Sequence, residues 1–212
     1  MSILDMSRGL SPGHVVSGHS TSDPGGSYGG AVILVVAATP EELRGADGAA
    51  TLSCGVGPVE AAARTAAALA GQLPDAVLHV GIAGGRSFDQ PRFVIGSEAV
   101  YCDADDPRWI ELRVPADSTL VEAARRALPE ARVEPIGTSA RVGGSNSCEV
   151  EAMEGYAVLR AAALAGVPAV EVRVLSNAVG EPDRAKWRFD EAKDQLAGAL
   201  PALIEEVARA HA

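Results

Sequence analysis

The order of strand-like and helix-like segments predicts a three-layer α/β/α domain with a mixed central sheet. Three observations carry that expectation. β-rich runs alternate with helical stretches along most of the chain, which is the pattern of α/β domains. The run Ala-Val-Ile-Leu-Val-Val at 31–36 is continuously apolar, as suits a strand covered on both faces. Near the C-terminus, Leu196, Leu200, Leu203 and Val207 recur at four, three and four residues, which makes one stripe of a long helix lying on a sheet.

Residues 1–30 come first and differ from the rest. They hold much Gly and Ser, with Pro12 and Pro24 and no sustained periodicity, so they are expected to form a flexible extension before a domain at 31–212. His14 and His19 in that tail are read as solvated. Strands are expected at 31–36, 50–54, 76–80, 93–101, 109–114, 132–137 and 169–176, each a short β-branched or apolar run between turn residues. Helices are expected at 58–70, where Pro58 suits a first helical position, and at 119–128, 151–165 and 190–210. Pro201 should kink or restart the last of these.

Composition narrows the function. The chain has 212 residues, 47% of them hydrophobic, enough for one substantial core. A formal net charge of −10 with no Lys/Arg cluster opposes nucleic-acid binding, so a small-molecule partner is expected. Cys54, Cys102 and Cys148 are odd in number, scattered and without ligand spacing, so neither a disulfide framework nor a metal site is expected. No apolar run is long enough to span a bilayer, and residues 1–30 lack the apolar core of a signal peptide; a cytoplasmic protein is the expectation, with no membrane and no cofactor.

Five stretches concentrate chemistry, and each has a plainer structural reading. In Ala-Ala-Thr-Pro-Glu-Glu-Leu at 37–43, Thr39 suits a helix cap, Pro40 the first position and the acids its positive end. In Cys-Gly-Val-Gly-Pro-Val-Glu at 54–60, glycines let backbone amides approach an anion at a helix start or simply allow close packing, and the spacing is not the dinucleotide fingerprint. Leu-His-Val-Gly-Ile-Ala-Gly-Gly at 78–85 is a glycine loop in which His79 reads as structural. Glu-Ala-Met-Glu-Gly at 151–155 opens a helix whose buried stripe would be Met153, Tyr156, Ala157 and Leu164, with Glu154 as a first-turn acid. Ser176-Asn177 ends a strand, at the carboxyl edge where open α/β sheets bind ligands, although asparagine is also a common turn residue. Arg173 in that strand should pair with a buried acid.

The Met153-Glu154 pair, the strand ending in Asn177 and the tail Ser-Asn-Ala-Val-Gly-Glu-Pro-Asp-Arg-Ala-Lys-Trp at 176–187 resemble the purine-nucleoside phosphorylase and nucleosidase superfamily, and the tail looks most like its futalosine hydrolase branch. The resemblance implies a phosphorylase-like fold, a homo-oligomer, and an N-ribosyl hydrolase that releases hypoxanthine from futalosine in menaquinone biosynthesis. It implies that Glu42 activates water, that Glu154 and Met153 hold the ribose, and that Asn177 addresses the purine. Ile82 and Gly84 would lie in the loop beside the sugar, Val142 would face the purine, and Asp183 and Trp187 would belong to a loop covering it. Related uridine-type phosphorylases bring an arginine and a threonine to phosphate where this chain has His79 and Ile82. Isoleucine cannot donate a hydrogen bond, so water is the expected nucleophile. Adenine-releasing relatives carry an aspartic acid at the Asn177 position; a carboxamide favours a 6-oxopurine. The alternatives are a methylthioadenosine/adenosylhomocysteine-type nucleosidase and a non-catalytic nucleoside-binding homologue. The chain is also abbreviated relative to that superfamily after Leu43 and at 141–149.

Overall fold

Strand β1 (Ile33–Ala37) forms where the continuous apolar run predicts it, inside a computed structural model that describes residues 30–145 and 148–211. The extension expected at 1–30 lies outside the described residues except for Gly30. After β1 come β2 (Ala50–Ser53), α1 (Pro58–Gly71), β3 (Ala76–Gly85), β4 (Phe93–Tyr101), β5 (Arg113–Pro115), α2 (Ser118–Ala127), β6 (Arg132–Thr138), β7 (Val150–Ala152), α3 (Gly155–Ala165), β8 (Ala169–Ala178) and α4 (Phe189–Arg209). Short 3-10 turns at Pro40–Leu43 and Arg184–Lys186 complete the fold.

All eight strands join one mixed sheet. β1 pairs β2 and β3 in parallel, and β8 runs parallel to β3 and antiparallel to β4. β4 pairs β6 in parallel, β6 pairs β7 in parallel, and β7 returns antiparallel to β3. The pairing β3, β8, β4, β6, β7 and back to β3 is therefore closed. Such a closure rolls the sheet and brings the ends of distant strands together. One face is covered by α2 and α4, packed on Leu78, Val80, Val172 and Val174, and the other by α1 and α3, packed on Val36, Val77 and Ala169. This is the three-layer arrangement that the alternating pattern predicts.

Three expectations need correction. The strand expected at 109–114 is confined to its end: Asp106 accepts from Arg108 N and its carbonyl from Trp109 N, so a turn replaces the strand and Trp109 is 83% exposed. The helix expected from residue 151 begins at Gly155, because Val150–Ala152 slots between β3 and β6 as β7 and the ladder bonds on both sides outweigh helical propensity. Its buried face is Ala157, Val158, Leu159 and Ala162, whereas Leu164, expected in the stripe, is 72% exposed.

α4 runs without interruption through Pro201, so the helix is not restarted there. The carbonyl of Ala197, which Pro201 has no N–H to bond, receives another neighbour. Gly45, with φ of 89°, packs so closely that a Cβ there would lie 2.3 Å from that oxygen. Arg44 Nη2 reaches Asp194 at 2.7 Å on the same helix. The turn bearing Glu42 is thus seated on α4 by its two following residues.

Leu200 is fully buried in the stripe that faces the sheet. Leu200→Ala is predicted to lower the free energy of unfolding by about 2–5 kcal/mol, and Leu164→Ala to stay within about 0.5 kcal/mol of the parent, both measured by urea denaturation.

Candidate active site

Two adjacent strands, β3 and β8, build the site. Their register sets His79 against Glu171, Gly81 against Arg173 and Ile82 against Val174, then breaks at one residue so that Gly84 faces Asn177. The break leaves Ser176 as an extra residue on β8. Successive strand residues ordinarily point to opposite faces, but this bulge turns both Ser176 and Asn177 towards one cleft. Gly84 supplies the room, since a Cβ there would sit 3.2 Å from Asn177 Nδ2.

The cleft has a volume of about 480 Å3. Glu42, Ile82, Gly84, Val142, Met153, Glu154, Asn177 and Trp187 all line it, so eight of the nine residues singled out by sequence are brought together. Asp183 is not among them. It is exposed, and its carboxylate accepts from Ala185 N at 3.0 Å to start the Arg184–Lys186 turn, so its placement orders the covering loop instead of contacting the cavity. That loop is fixed further by Trp187 Nε1 donating to Glu181 O at 3.0 Å and by an edge-to-face contact of Trp187 with Phe189.

Each polar group of the cleft is held by named partners. Glu42 Oε2 accepts from Thr39 N at 3.0 Å and Thr39 Oγ1 at 2.9 Å, and Oε1 accepts from Ile82 N at 3.0 Å. The local role expected of Thr39 and the placement of Glu42 in a cleft are therefore one arrangement. Glu154 Oε1 accepts from Gly57 N at 3.0 Å, at the start of α1. The anion that the glycine turn at 54–60 faces is this carboxylate, where the positive end of the helix favours it. Asn177 Oδ1 lies 2.8 Å from the Ser176 hydroxyl and Nδ2 donates to Ala178 O at 3.0 Å, which leaves one N–H of the amide to face the cleft.

Beneath these groups lies Arg173, 1% exposed. Its Nε donates to Glu171 Oε1 at 2.7 Å, Nη2 approaches Glu154 Oε2 at 3.5 Å and bonds His79 Nε2, and Nη1 reaches Ile82 O at 3.4 Å. Gly81 is glycine for this reason: a Cβ would lie 2.3 Å from Arg173 Nη1 and 2.8 Å from Glu42 Oε1. The buried acid expected for Arg173 is Glu171, with Glu154 as a second. The only sequence signal for Glu171 is a glutamate and an arginine two apart in an otherwise apolar strand, which mark an opposite-charge pair on one face.

Burial shapes the protonation of this cluster. Desolvation works against the charge of Arg173, but Glu171, Glu154 and Glu42 hold it above the ordinary arginine value. Burial pushes Glu171 up, only partly opposed by Arg173. Burial, and then the Arg173 charge, push His79 well below 6.5, so it is neutral; Nδ1 donates to Val36 O at 3.0 Å and Nε2 accepts from Arg173. The structural role expected of His79 is what its contacts show. Burial and Glu154 drive the Cys54 thiol up to about 12, which keeps it protonated. Among the described residues no group of three or more His, Cys, Asp or Glu side chains is placed to hold a metal, and no helix is long and apolar enough to cross a membrane.

Residues 42–209 match the family model of the phosphorylase superfamily. A futalosine hydrolase of Streptomyces coelicolor is 34% identical over 183 residues, covering 73% of this chain and 77% of that protein. A futalosine hydrolase of Thermus thermophilus is 38% identical over 86 residues, 41% of this chain and 36% of that one. Among solved structures, an S-adenosylhomocysteine nucleosidase of Streptococcus pyogenes in complex with 5-methylthiotubericidin superposes with a TM-score of 0.74 at 21% identity, over 85% of this chain and 98% of that chain. A futalosine hydrolase mutant of Helicobacter pylori gives 0.74 at 15% identity, over 82% and 98%. At these identities the structural likeness establishes the fold.

Because His79 is neutral in the fold and titrates at about 6.5 when unfolded, the unfolded chain binds the extra proton first as pH falls. The stability this contributes is complete above pH 6.5 and is lost as pH drops towards the folded value. His79→Gln, which keeps an acceptor for Arg173 without titrating, is predicted to flatten that acid-side slope in urea denaturation series.

Proposed function

This chain belongs to the phosphorylase superfamily and, within it, to the futalosine hydrolase family, and on that premise we propose that its cleft hydrolyses the N-ribosyl bond of futalosine to give hypoxanthine and dehypoxanthine futalosine. The supporting observation is the convergence of Glu42, Glu154 and Asn177, far apart in sequence, on one cleft of about 480 Å3, a size suited to a nucleoside.

On this reading Glu42 is the general base. Water oxygen bonds to the anomeric carbon as the bond from that carbon to the purine nitrogen breaks, and the carboxylate of Glu42 takes the water proton. Thr39 and the Ile82 amide hold it for that purpose. Glu154 accepts hydrogen bonds from the 2′- and 3′-hydroxyls, and its negative charge favours the oxocarbenium character of the transition state. Met153 forms the apolar wall of the sugar, with Ile82 and Gly84 beside it. The bonding electrons leave with the purine, and the remaining N–H of Asn177 donates to N7 or to the 6-oxo oxygen. A carboxamide has no proton to give up, so hydrogen bonding, and not proton transfer from this residue, stabilises the departing base, which leaves as an anion and takes its proton from solvent while Glu42 releases the water proton to solvent.

Val142 and Trp187 flank the purine, and Asp183 acts by ordering the turn that carries Trp187. Ile82 offers phosphate no side-chain donor, which supports water as nucleophile. An adenine-releasing nucleosidase is the second reading, and Asn177 speaks against it because a carboxamide, unlike a protonated aspartic acid, has no acidic proton to pass to N7, and its Oδ1 already accepts from Ser176. The proposal extends to a cytoplasmic homo-oligomer acting in menaquinone biosynthesis without a cofactor; a neighbouring copy would cover the open side of the cleft at Val142, which is 53% exposed.

Release of hypoxanthine from futalosine in phosphate-free buffer is the test; a strict phosphate requirement, or binding without turnover, would overturn it. Glu42→Gln is predicted to lower kcat by about 10²- to 10⁴-fold with little change in KM, read by base release. Asn177→Asp is predicted to shift the preference in kcat/KM from 6-oxo towards 6-aminopurine nucleosides, measured on paired substrates.

A further inference from the structure

A third buried acid faces the cleft and has no part in the scheme above. Glu151, on β7, is 7% exposed and lines the cavity. Across the sheet it lies in the same row as the purine-facing amide, since Gly84 is the register partner of both Glu151 and Asn177. Only a residue without a side chain separates them, so their backbones are about 10 Å apart.

The carboxylate of Glu151 is committed to one loop. It accepts from Gly143 N at 2.5 Å through Oε1, and from Ser145 N and Ser145 Oγ, each at 2.7 Å, through Oε2. No Lys or Arg among the described residues forms a salt bridge with it. The loop is shaped to present those amides: Gly143 has φ of 80°, and a Cβ on Gly144 would lie 2.0 Å from Ser139 Oγ. The alternate amides of Gly143 and Ser145 converge on one carboxylate, while the Gly144 amide between them donates to Arg141 O, so the loop forms a nest-like anion site filled by the protein's own side chain. Burying a carboxylate is costly unless it is fully hydrogen-bonded, and what this one fixes is the residue just before the nest, Val142, at the wall of the cleft.

We propose that Glu151 is a positioning residue for purine recognition: it pins the 141–145 loop so that Val142 stands at a set distance from the base held by Asn177. This rests on the nucleosidase reading above. It follows that Glu151 governs the affinity for the base and not the chemical step. A glutamine would turn an NH2 donor towards amide donors, releasing the loop while preserving side-chain size.

The test uses the whole chain and three variants. Glu151→Gln removes the anchor. Gly143→Ala strains the loop through its positive φ, with no atom in the way of the added methyl. Val142→Ser changes an exposed wall residue and leaves the fold intact. The expected result for all three is a KM for the nucleoside, and a calorimetric Kd for hypoxanthine, raised by roughly 10-fold or more, with kcat within about threefold of the parent. A KM and hypoxanthine Kd unchanged in folded Glu151→Gln or Gly143→Ala protein would overturn the inference, as would a loss confined to kcat. If Glu151→Gln does not fold, Gly143→Ala and Val142→Ser decide the matter. A parent protein that releases no base from any nucleoside would instead remove the hydrolase reading itself, whereas an active parent with indifferent variants removes only the role of Glu151.

Discussion

The guanidinium of Arg173 is the constraint around which the site is assembled. It is buried in β8 with Glu171, Glu154 and the neutral ring of His79 as partners, and Glu42 lies across Gly81 from it. A charge moved out of water is tolerated only where geometry and hydrogen bonds replace its hydration, and removing one member of such a cluster exposes the rest to that penalty. The consequence is a rigid base for two carboxylates: Glu154 is fixed between Arg173 and the start of α1, and Glu42 between Thr39 and the Ile82 amide. Glycine at 81 and at 155 is a product of the same packing, because a Cβ at Gly155 would lie 2.1 Å from Glu171 Oε2. That oxygen has no hydrogen-bond partner among the described residues, in keeping with the upward shift that burial imposes on Glu171.

The rolled sheet explains how residues from separate parts of the chain reach one place. Closure of β3, β8, β4, β6 and β7 brings the short β7, with Glu151, beside the end of β3, and the bulge at Ser176 turns Asn177 into the same space. The Glu42 turn arrives from β1 and is located by a contact with α4, where Gly45 sits against the Ala197 carbonyl, to which Pro201 offers no N–H. Sheet, helix and turn thus each fix one wall. The loop at 141–145 has few apolar anchors and is held by hydrogen bonds instead, which is why a buried acid is needed there.

Much of this was legible in the residues, and the failures have physical causes. Strong local signals came through: the apolar run of β1, the stripe of α4, and the Pro58 start of α1. Phe93–Tyr101 falls within the bounds its apolar and β-branched residues predict. β7 was hidden because Val150–Ala152 is too short to show a period and is made a strand by its two neighbours, not by propensity. The turn before β5 was hidden because a single aspartate, Asp106, redirects the chain. Pro201 does not restart α4, because its cost depends on what happens to the freed carbonyl, a tertiary matter. At the site, Glu42, Glu154 and Asn177 are recognisable through the family resemblance, since each has an equally good local explanation; Glu151 is hidden because its short strand runs almost directly into α3, and Glu171 because it lies inside an apolar strand.

The most direct measurement is a crystal structure with a C-nucleoside analogue of inosine, whose carbon–carbon linkage resists hydrolysis. The expected complex has Glu154 within hydrogen-bond distance of both ribose hydroxyls, the Asn177 amide on N7 or the 6-oxo group, and a water on the far side of the anomeric carbon in contact with Glu42. A ligand bound with any of these three side chains turned away from it, or seated outside this cleft, would contradict the account.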